Sequence, residues 1–331
     1  MTREVLIAPD FDLTEIVNEN RALLQEMRDS KVLVTGGTGF VGSWVWQALH
    51  KANEIFGLNI QLFLVSRNPS QFHLKAGPNF HLIEHNLLFP LKQDVPSFDF
   101  VFSSLTPSQP DTGGLDIPYV QEITASGNRN LIQHIINKSR PVNFFNTSSG
   151  AVEQRNIYDD FNPKVLKDVY AESKIQLESY LKKFHGIQGI KVTNGRLFTF
   201  FGPGIPLNAH FAIGNFLRDA RNKKAVEILG NPNTIRSYLY PTDMVSQILQ
   251  SWVGEVESIN VPIASFVKTT MKDLAETISI NFGSGKVLYP SNQTIEATTY
   301  FPANIDAASA NHQRISLLEG LERWNLWLNS N

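Results

Sequence analysis

Short runs of consecutive apolar residues alternate along the first two thirds of the chain with longer stretches in which apolar residues recur every three or four positions. The run 31–35 (Lys-Val-Leu-Val-Thr) and the run 60–65 are largely apolar and too short for helices, so they predict buried strands. Between them, a helix is expected from Ser43 to about Asn53. The alternation continues with a strand at 98–102, a helix within 117–137, a strand at 142–146, a long amphipathic helix at 165–184 and a strand at 190–197. Strand and helix in strict alternation predict an α/β, doubly wound parallel sheet with right-handed crossovers. Upstream, Ile16, Leu23, Leu24 and Met27 share one side of a helix running from Asp12 or Thr14 to about Arg28, which reads as a packing or dimer-contact extension over residues 1–30. After Phe201, the run Gly202-Pro-Gly-Ile-Pro206 breaks the pattern. The expected organisation is therefore a larger unit over 31–201, rejoined by about 236–262, and a smaller C-terminal unit over 202–331.

A length of 331 residues suits one large α/β unit or two unequal ones, and 42% hydrophobic residues suffice for a sizeable core. A net charge of −2 gives no reason to expect a nucleic-acid or acidic-membrane partner. No apolar stretch is long enough to cross a bilayer, and no leader is read at the N-terminus, so a cytoplasmic location is expected. The absence of cysteine excludes disulfides, thiolate metal sites and cysteine nucleophiles.

Candidate chemistry begins at Gly36-Gly-Thr-Gly-Phe-Val-Gly42, set between the first strand and the first helix. Glycine permits positive φ and close approach of a backbone to a ligand, and the helix start offers unpaired N–H groups to a pyrophosphate. In this strand–turn–helix–strand context the turn predicts a Rossmann dinucleotide-binding unit, with Gly36, Gly39, Phe40, Val41 and Gly42 as the cradle. The second strand ends in Val65-Ser-Arg-Asn68, with no carboxylate to accept ribose hydroxyls. Ser66 and Arg67 therefore favour NADP over NAD, because arginine can pair with a 2′-phosphate.

On the long helix, Tyr170 and Lys174 are one turn apart on one face. A free tyrosine, with a pKa of about 10, is a poor base at neutral pH, and a nearby ammonium lowers that value. Such a pair can pass a proton to or from a substrate hydroxyl while a nicotinamide exchanges the hydride. Asn146-Thr-Ser-Ser149 follows the preceding strand, at the sheet edge where α/β proteins bind ligands, so Ser149 can hydrogen-bond the reacting oxygen.

With these features in order, the sequence resembles the extended short-chain dehydrogenases/reductases, specifically the NAD(P)-dependent nucleotide-sugar epimerase/dehydratase family, over about residues 31–330. Thr35-Gly-Gly-Thr-Gly-Phe-Val-Gly42 looks like its cofactor turn, Ser149-Gly-Ala-Val152 like its serine motif, and Tyr170 and Lys174 like its Tyr–Lys pair. Arg196-Leu-Phe-Thr-Phe-Phe-Gly-Pro203 looks like the strand-end motif beside the nicotinamide, and Arg236-Ser-Tyr-Leu-Tyr-Pro-Thr-Asp243 like the segment that grips the sugar-nucleotide diphosphate. The resemblance implies that Ser149, Tyr170 and Lys174 are catalytic and that Lys174 also contacts the cofactor. It further implies that Thr199 and Arg236 serve the nucleotide sugar; the run 208–215 after the Gly-Pro break sets Asn208 or His210 near it, and a homodimer is expected. Asn86 stands where many members place an adenine-contacting aspartate, Glu153 replaces a usual tyrosine, and Thr199 a frequent asparagine.

Reaction type follows from missing groups. The family's 4,6-dehydratases resemble one another in an Asp-Glu pair directly after the catalytic serine or threonine; here Gly150 and Ala151 carry no titratable group. The expectation is a 4-epimerase or 4-ketoreductase, with a 4,6-dehydratase and a catalytically silent NAD(P)-binding sensor as alternatives. No metal site is expected: His81 and His85 lie on a strand reading, where four residues span roughly 13 Å, too far to share one ion.

Overall fold

The computed structural model describes residues 6–330, except 73–75, 106–120, 139, 156–165, 209–210, 257, 291–294 and 304–312. The chain divides into two compact units, one of residues 1–197 with 245–262 and one of 198–244 with 263–331.

The first unit is built on strands β1 (Lys31–Thr35), β2 (Gln61–Ser66), β3 (Phe80–Glu84), β4 (Phe100–Ser103), β5 (Val142–Ser149), β6 (Ile190–Leu197) and β9 (Asn260–Ile263), in the order β3-β2-β1-β4-β5-β6-β9. Every pair with an assigned register from β3 to β6 is parallel. The expected doubly wound sheet is thus present, and its direction of winding reverses between β1 and β4. Successive side chains point to opposite faces of each strand. Phe144 joins Leu33, Val101 and Val192 against Leu131, Ile135, Leu177 and Leu181 from the helices Asn128–Lys138 and Leu166–Lys182. Phe145 stacks on Phe102 at 5.3 Å between ring centroids, and both rings meet Trp252 at the end of the helix Pro241–Trp252. Trp252 in turn donates from its indole N–H to Asn143 O at 2.9 Å. Gly195 on β6 makes room for Phe145, because a Cβ there would overlap its ring.

Two local expectations are revised. The first helix begins at Phe40, three residues before Ser43, with the extended Gly39 as its N-cap, and ends on a left-handed Gly57. The single helix expected over 12–28 is two, Asp10–Glu19 and Arg21–Glu26. The break falls at Asn20, whose side-chain amide donates to Ile16 O at 2.8 Å and to Ser246 Oγ at 2.8 Å. These helices bury Ile16, Val17, Leu24 and Met27 and brace Phe40–Phe56, where Gln47 accepts from Ala8 N and donates to Leu6 O.

The second unit carries a sheet in the order β10-β8-β12, formed by β8 (Ile235–Ser237), β10 (Lys268–Thr270) and β12 (Thr299–Tyr300). A two-stranded sheet pairs β7 (Val226–Glu227) with β11 (Val287–Leu288). The helices Ala212–Arg221, Met271–Phe282 and Leu317–Ser330 supply Phe216, Leu217, Leu274, Ile278 and Trp324 to a core shared with Phe201 and Tyr240. Buried Asp243 accepts from the backbone of Arg314 and Ile315.

The glycines make a test of the turn. Gly36 has φ +65° and a Cβ there would overlap Ser104 O, whereas Gly57 has φ +58° with nothing within 4 Å. Gly36→Ala should cost on the order of 2–4 kcal/mol in chemical denaturation, the left-handed penalty plus overpacking. Gly57→Ala should cost only about 1–2 kcal/mol.

Candidate functional site

The site begins where the parallel strands end. Gly36 follows β1 and lies so close to the Ser104 backbone after β4 that no side chain fits, and a Cβ on Gly42 would likewise overlap Gly36 O. The turn is closed by Gly39 N donating to Gly36 O at 2.9 Å, and Trp46 fixes it from the helix by donating to Gly37 O at 3.0 Å. Thr35 Oγ accepts from Ser104 N at 3.0 Å, which joins the ends of β1 and β4. At Gly36 and Gly42 the missing side chain lets backbone meet backbone and shapes the turn. Gly39 differs: it is exposed, and a Cβ there would meet only Gly36 O, at 3.3 Å. With half-buried Phe40 and Val41 opening the helix behind it, this is an open backbone concavity at a helix start. Such a concavity fits a pyrophosphate.

Toward the β3 edge lie the residues expected at the adenosine end. Half-buried Ser66 ends β2 and accepts from Asn68 N at 3.1 Å, while Arg67 is exposed. Asn86 engages its side-chain oxygen with Leu88 N at 3.1 Å, a turn contact. Sequence reading missed Glu84: it ends β3 and is the register partner of Ser66, so a carboxylate does stand beside that strand end. The pairing of β2 with β3 is what brings it there, and no local spacing signals it.

Two strands along from β1, separated by roughly 10 Å of sheet, Ser149 ends β5. It is buried, and its Oγ accepts from Ala151 N at 3.2 Å. Lys174 joins the long helix to this strand end, its buried ammonium donating to Thr147 O at 2.7 Å. The same ammonium lies 5.8 Å from the ring centroid of Tyr170, one turn back. Burial lowers the Lys174 pKa to about 7, and the charge of Glu178 one turn on opposes that fall. Glu178 is a second residue that sequence reading passed over, although its spacing of four from Lys174 was visible. It is buried, accepts from Ser148 Oγ at 2.5 Å, and pairs with Arg196 at 2.7 Å. Arg196 also reaches Glu153 at 3.5 Å.

Other predicted residues belong to the second unit. Half-buried Thr199 accepts from Leu239 N through its carbonyl, and Asn208 is exposed on a turn. His210 lies outside the described residues. Arg236 on β8 donates to Ile235 O at 2.8 Å and Thr298 Oγ at 3.2 Å and lies over the Tyr300 ring at 5.9 Å. Burial pulls its pKa down, against the charges of Tyr238 and Tyr300. Among the described residues no cluster suits a metal ion, and no helix is long and apolar enough to cross a membrane.

Residues 32–254 match the model of the NAD dependent epimerase/dehydratase family. The chain belongs to this family. Its curated relatives include UDP-glucuronic acid decarboxylase 1 of Arabidopsis thaliana, 25% identical over 317 residues, covering 88% of this chain and 68% of the relative. Among solved structures, the UDP-N-acetylglucosamine 4-epimerase of Methanobrevibacter ruminantium superposes with a TM-score of 0.69 at 20% identity, covering 92% of this chain and 99% of that one. An NAD dependent NDP-hexosamine 5,6-dehydratase of tunicamycin biosynthesis gives a TM-score of 0.69 at 19% identity, covering 91% and 98%. These structural likenesses establish a shared fold. The proteins that this chain resembles are thus, by their names, a decarboxylase, an epimerase and a dehydratase of nucleotide sugars.

The buried Lys174 makes a pH prediction. Its folded pKa of about 7 lies below the ordinary 10.5, so between those values the unfolded chain binds a proton that the folded chain does not. The resulting loss of stability grows as pH falls through that window and is constant below it. Lys174→Met should therefore be more stable than the wild type at pH 7, by on the order of a few kcal/mol. The gap should narrow as pH approaches 10.5; thermal melts of both proteins across that range would check it.

Proposed function

We propose that this epimerase/dehydratase family member oxidises and reduces the C4 carbinol of a nucleotide-linked hexose, as a 4-epimerase or 4-ketoreductase. The observation that carries this reading is the attachment of the Tyr170–Lys174 helix to the β5 end through Lys174 and Thr147, beside Ser149. Bound NAD(P) supplies the hydride acceptor and donor. On oxidation, Tyr170 Oη takes the hydroxyl proton as the C4–H bond gives up its hydride and C4=O forms. Ser149 Oγ donates to the reacting oxygen, and the Lys174 ammonium favours the tyrosine's anionic form. On reduction the same groups run in reverse, and delivery to the opposite face of C4 inverts it. Gly39, Phe40, Val41 and the adjoining Gly36 and Gly42 would hold the pyrophosphate. Thr199, Asn208, His210 and Arg236 are assigned to the nucleotide sugar.

Dehydration is disfavoured because Gly150 and Ala151 have nothing to transfer a proton with, and the nearby carboxylate of Glu153 is engaged by Arg196. Decarboxylation is the second reading, favoured by the curated relatives. A C4 ketone made on a sugar with a C5 carboxylate is a β-keto acid, which can lose carbon dioxide without an added acid–base pair. A silent sensor is the remaining alternative. The test is a panel of UDP-, dTDP-, GDP- and CDP-hexoses, UDP-glucuronic acid and 4-keto-6-deoxy sugars with each cofactor, the products read by NMR. Change at C4 alone supports the proposal, loss of carbon dioxide selects the second reading, and a 4-keto-6-deoxy product overturns both. Tyr170→Phe should lower turnover by on the order of 10²–10⁴. Cofactor affinity, measured by fluorescence titration, should stay within a few-fold, because only the phenolic oxygen is lost.

For the cofactor we propose NADP(H) over NAD(H), with exposed Arg67 on the 2′-phosphate. Glu84 beside Ser66 is the competing influence. Arg67→Ala should therefore remove the preference and Glu84→Gln strengthen it; equal affinities in the wild type would reject the assignment. We further propose a cytoplasmic homodimer, which sedimentation of the purified protein and fractionation of cells would test.

A further inference from the structure

The Lys174 ammonium is buried with a backbone carbonyl, Thr147 O, as its hydrogen-bond acceptor. Among the described residues no carboxylate lies within 4.0 Å of it. Its charge must therefore be balanced from further off. Among the described residues, Tyr170 and Glu178 lie one turn to either side of it on its own helix, and Arg196 on β6 and Glu153 on the short helix Ala151–Arg155 join Glu178 in an ion cluster. Glu178 is one turn from Lys174, on the same face. It is gripped by Arg196 through two bonds, Nε at 3.1 Å and Nη2 at 2.7 Å. An arginine bound only to Glu178 would cancel most of the field that Glu178 exerts on Lys174. Glu153, 3.5 Å from Arg196 Nη1 and only 16% exposed, supplies the second carboxylate. Lys174, Arg196, Glu178 and Glu153 then sum to zero charge. Glu153 also stands at a position where a tyrosine, which has no charge to contribute at neutral pH, is usual in the family that the sequence resembles.

We propose that Glu178, braced by Arg196 and Glu153, is the positioning residue that keeps Lys174 charged beside Tyr170. The role rests on the assignment of Lys174 to proton transfer, but its test does not need turnover. Lysine labelled with ¹³C at Cε reports the titration of Lys174 by NMR, the signal being identified by its loss in Lys174→Met. In the intact protein, Glu178→Gln should lower the Lys174 titration midpoint by about one pH unit or more, the effect expected for a charge one helical turn away. Glu153→Gln should lower it in the same direction by less, because Arg196 then neutralises Glu178 more fully. A folded Glu178→Gln protein whose Lys174 midpoint stays within about 0.3 unit of wild type overturns the proposal. Circular dichroism establishes folding; if Glu178→Gln does not fold, Glu153→Gln decides by the same criterion. The titration is read without substrate or cofactor. Failure of the C4 chemistry leaves it untouched, and an unmoved midpoint leaves the C4 reading standing.

Discussion

Lys174 brings an ammonium group into a place that water hardly reaches, and the cost of stripping water from that charge shapes what surrounds it. One hydrogen bond to the Thr147 carbonyl compensates part of it, and that bond is also what fastens the long helix to the end of β5. The charge of Glu178, one turn on, offsets some of the remainder, and Arg196 gathers Glu178 with Glu153 into a largely buried ion cluster. Buried ion pairs are weak contributors to stability but costly to break, since removing one partner strands the other. A cluster of this kind is better understood as fixing a geometry than as holding the fold together.

The strand ends that this helix meets are themselves fixed by backbone proximity. Gly36 lets the turn after β1 come against Ser104 after β4, and Thr35 accepts from the Ser104 amide. This contact sits where the sheet reverses its winding, the position at which open α/β sheets leave a crevice for ligands. Further along the edge, Asn146 donates to Asn194, its register partner, and Asn194 donates to Asn260 on β9, both at 2.9 Å. A one-residue slip would turn these amides to the opposite face and leave them unpaired. Register along β5, β6 and β9 is thereby specified by polar groups as well as by the phenylalanines on either face, and with it the height at which Ser149 ends its strand.

The second unit is held by contacts of another kind. Among the described residues its strands are two or three residues long, and its order comes from a core of Phe201, Tyr240 and Trp324 with the helices Ala212–Arg221, Met271–Phe282 and Leu317–Ser330. Asp243 ties a backbone segment through Arg314 N and Ile315 N rather than through sheet pairing. In such an arrangement side chains such as Arg236 are held by neighbours distant in sequence, here Thr298 and Tyr300.

The alternation of apolar runs and helical periods determined the doubly wound sheet by itself, because a strand buried on both faces and an amphipathic helix each leave a local signature. The spacing of Gly36, Gly39 and Gly42 and of Tyr170 and Lys174 is equally local, so the turn and the pair proposed for cofactor binding and proton transfer are legible in the order of residues alone. Helix ends are not: Asn20 breaks the first helix through a bond to Ser246, 226 residues away. Nor is the company each site residue keeps. Glu84 reaches Ser66 only because β3 pairs with β2, and Glu153, Glu178 and Arg196 converge only because a helix, a strand and a short turn of helix close on one another. The charge on Lys174 depends on its burial as well as on Glu178, and desolvation is set by everything that packs around the group, which sequence spacing does not reveal. The sequence therefore determined which groups were available for the chemistry, and the tertiary structure decided their charge and their partners.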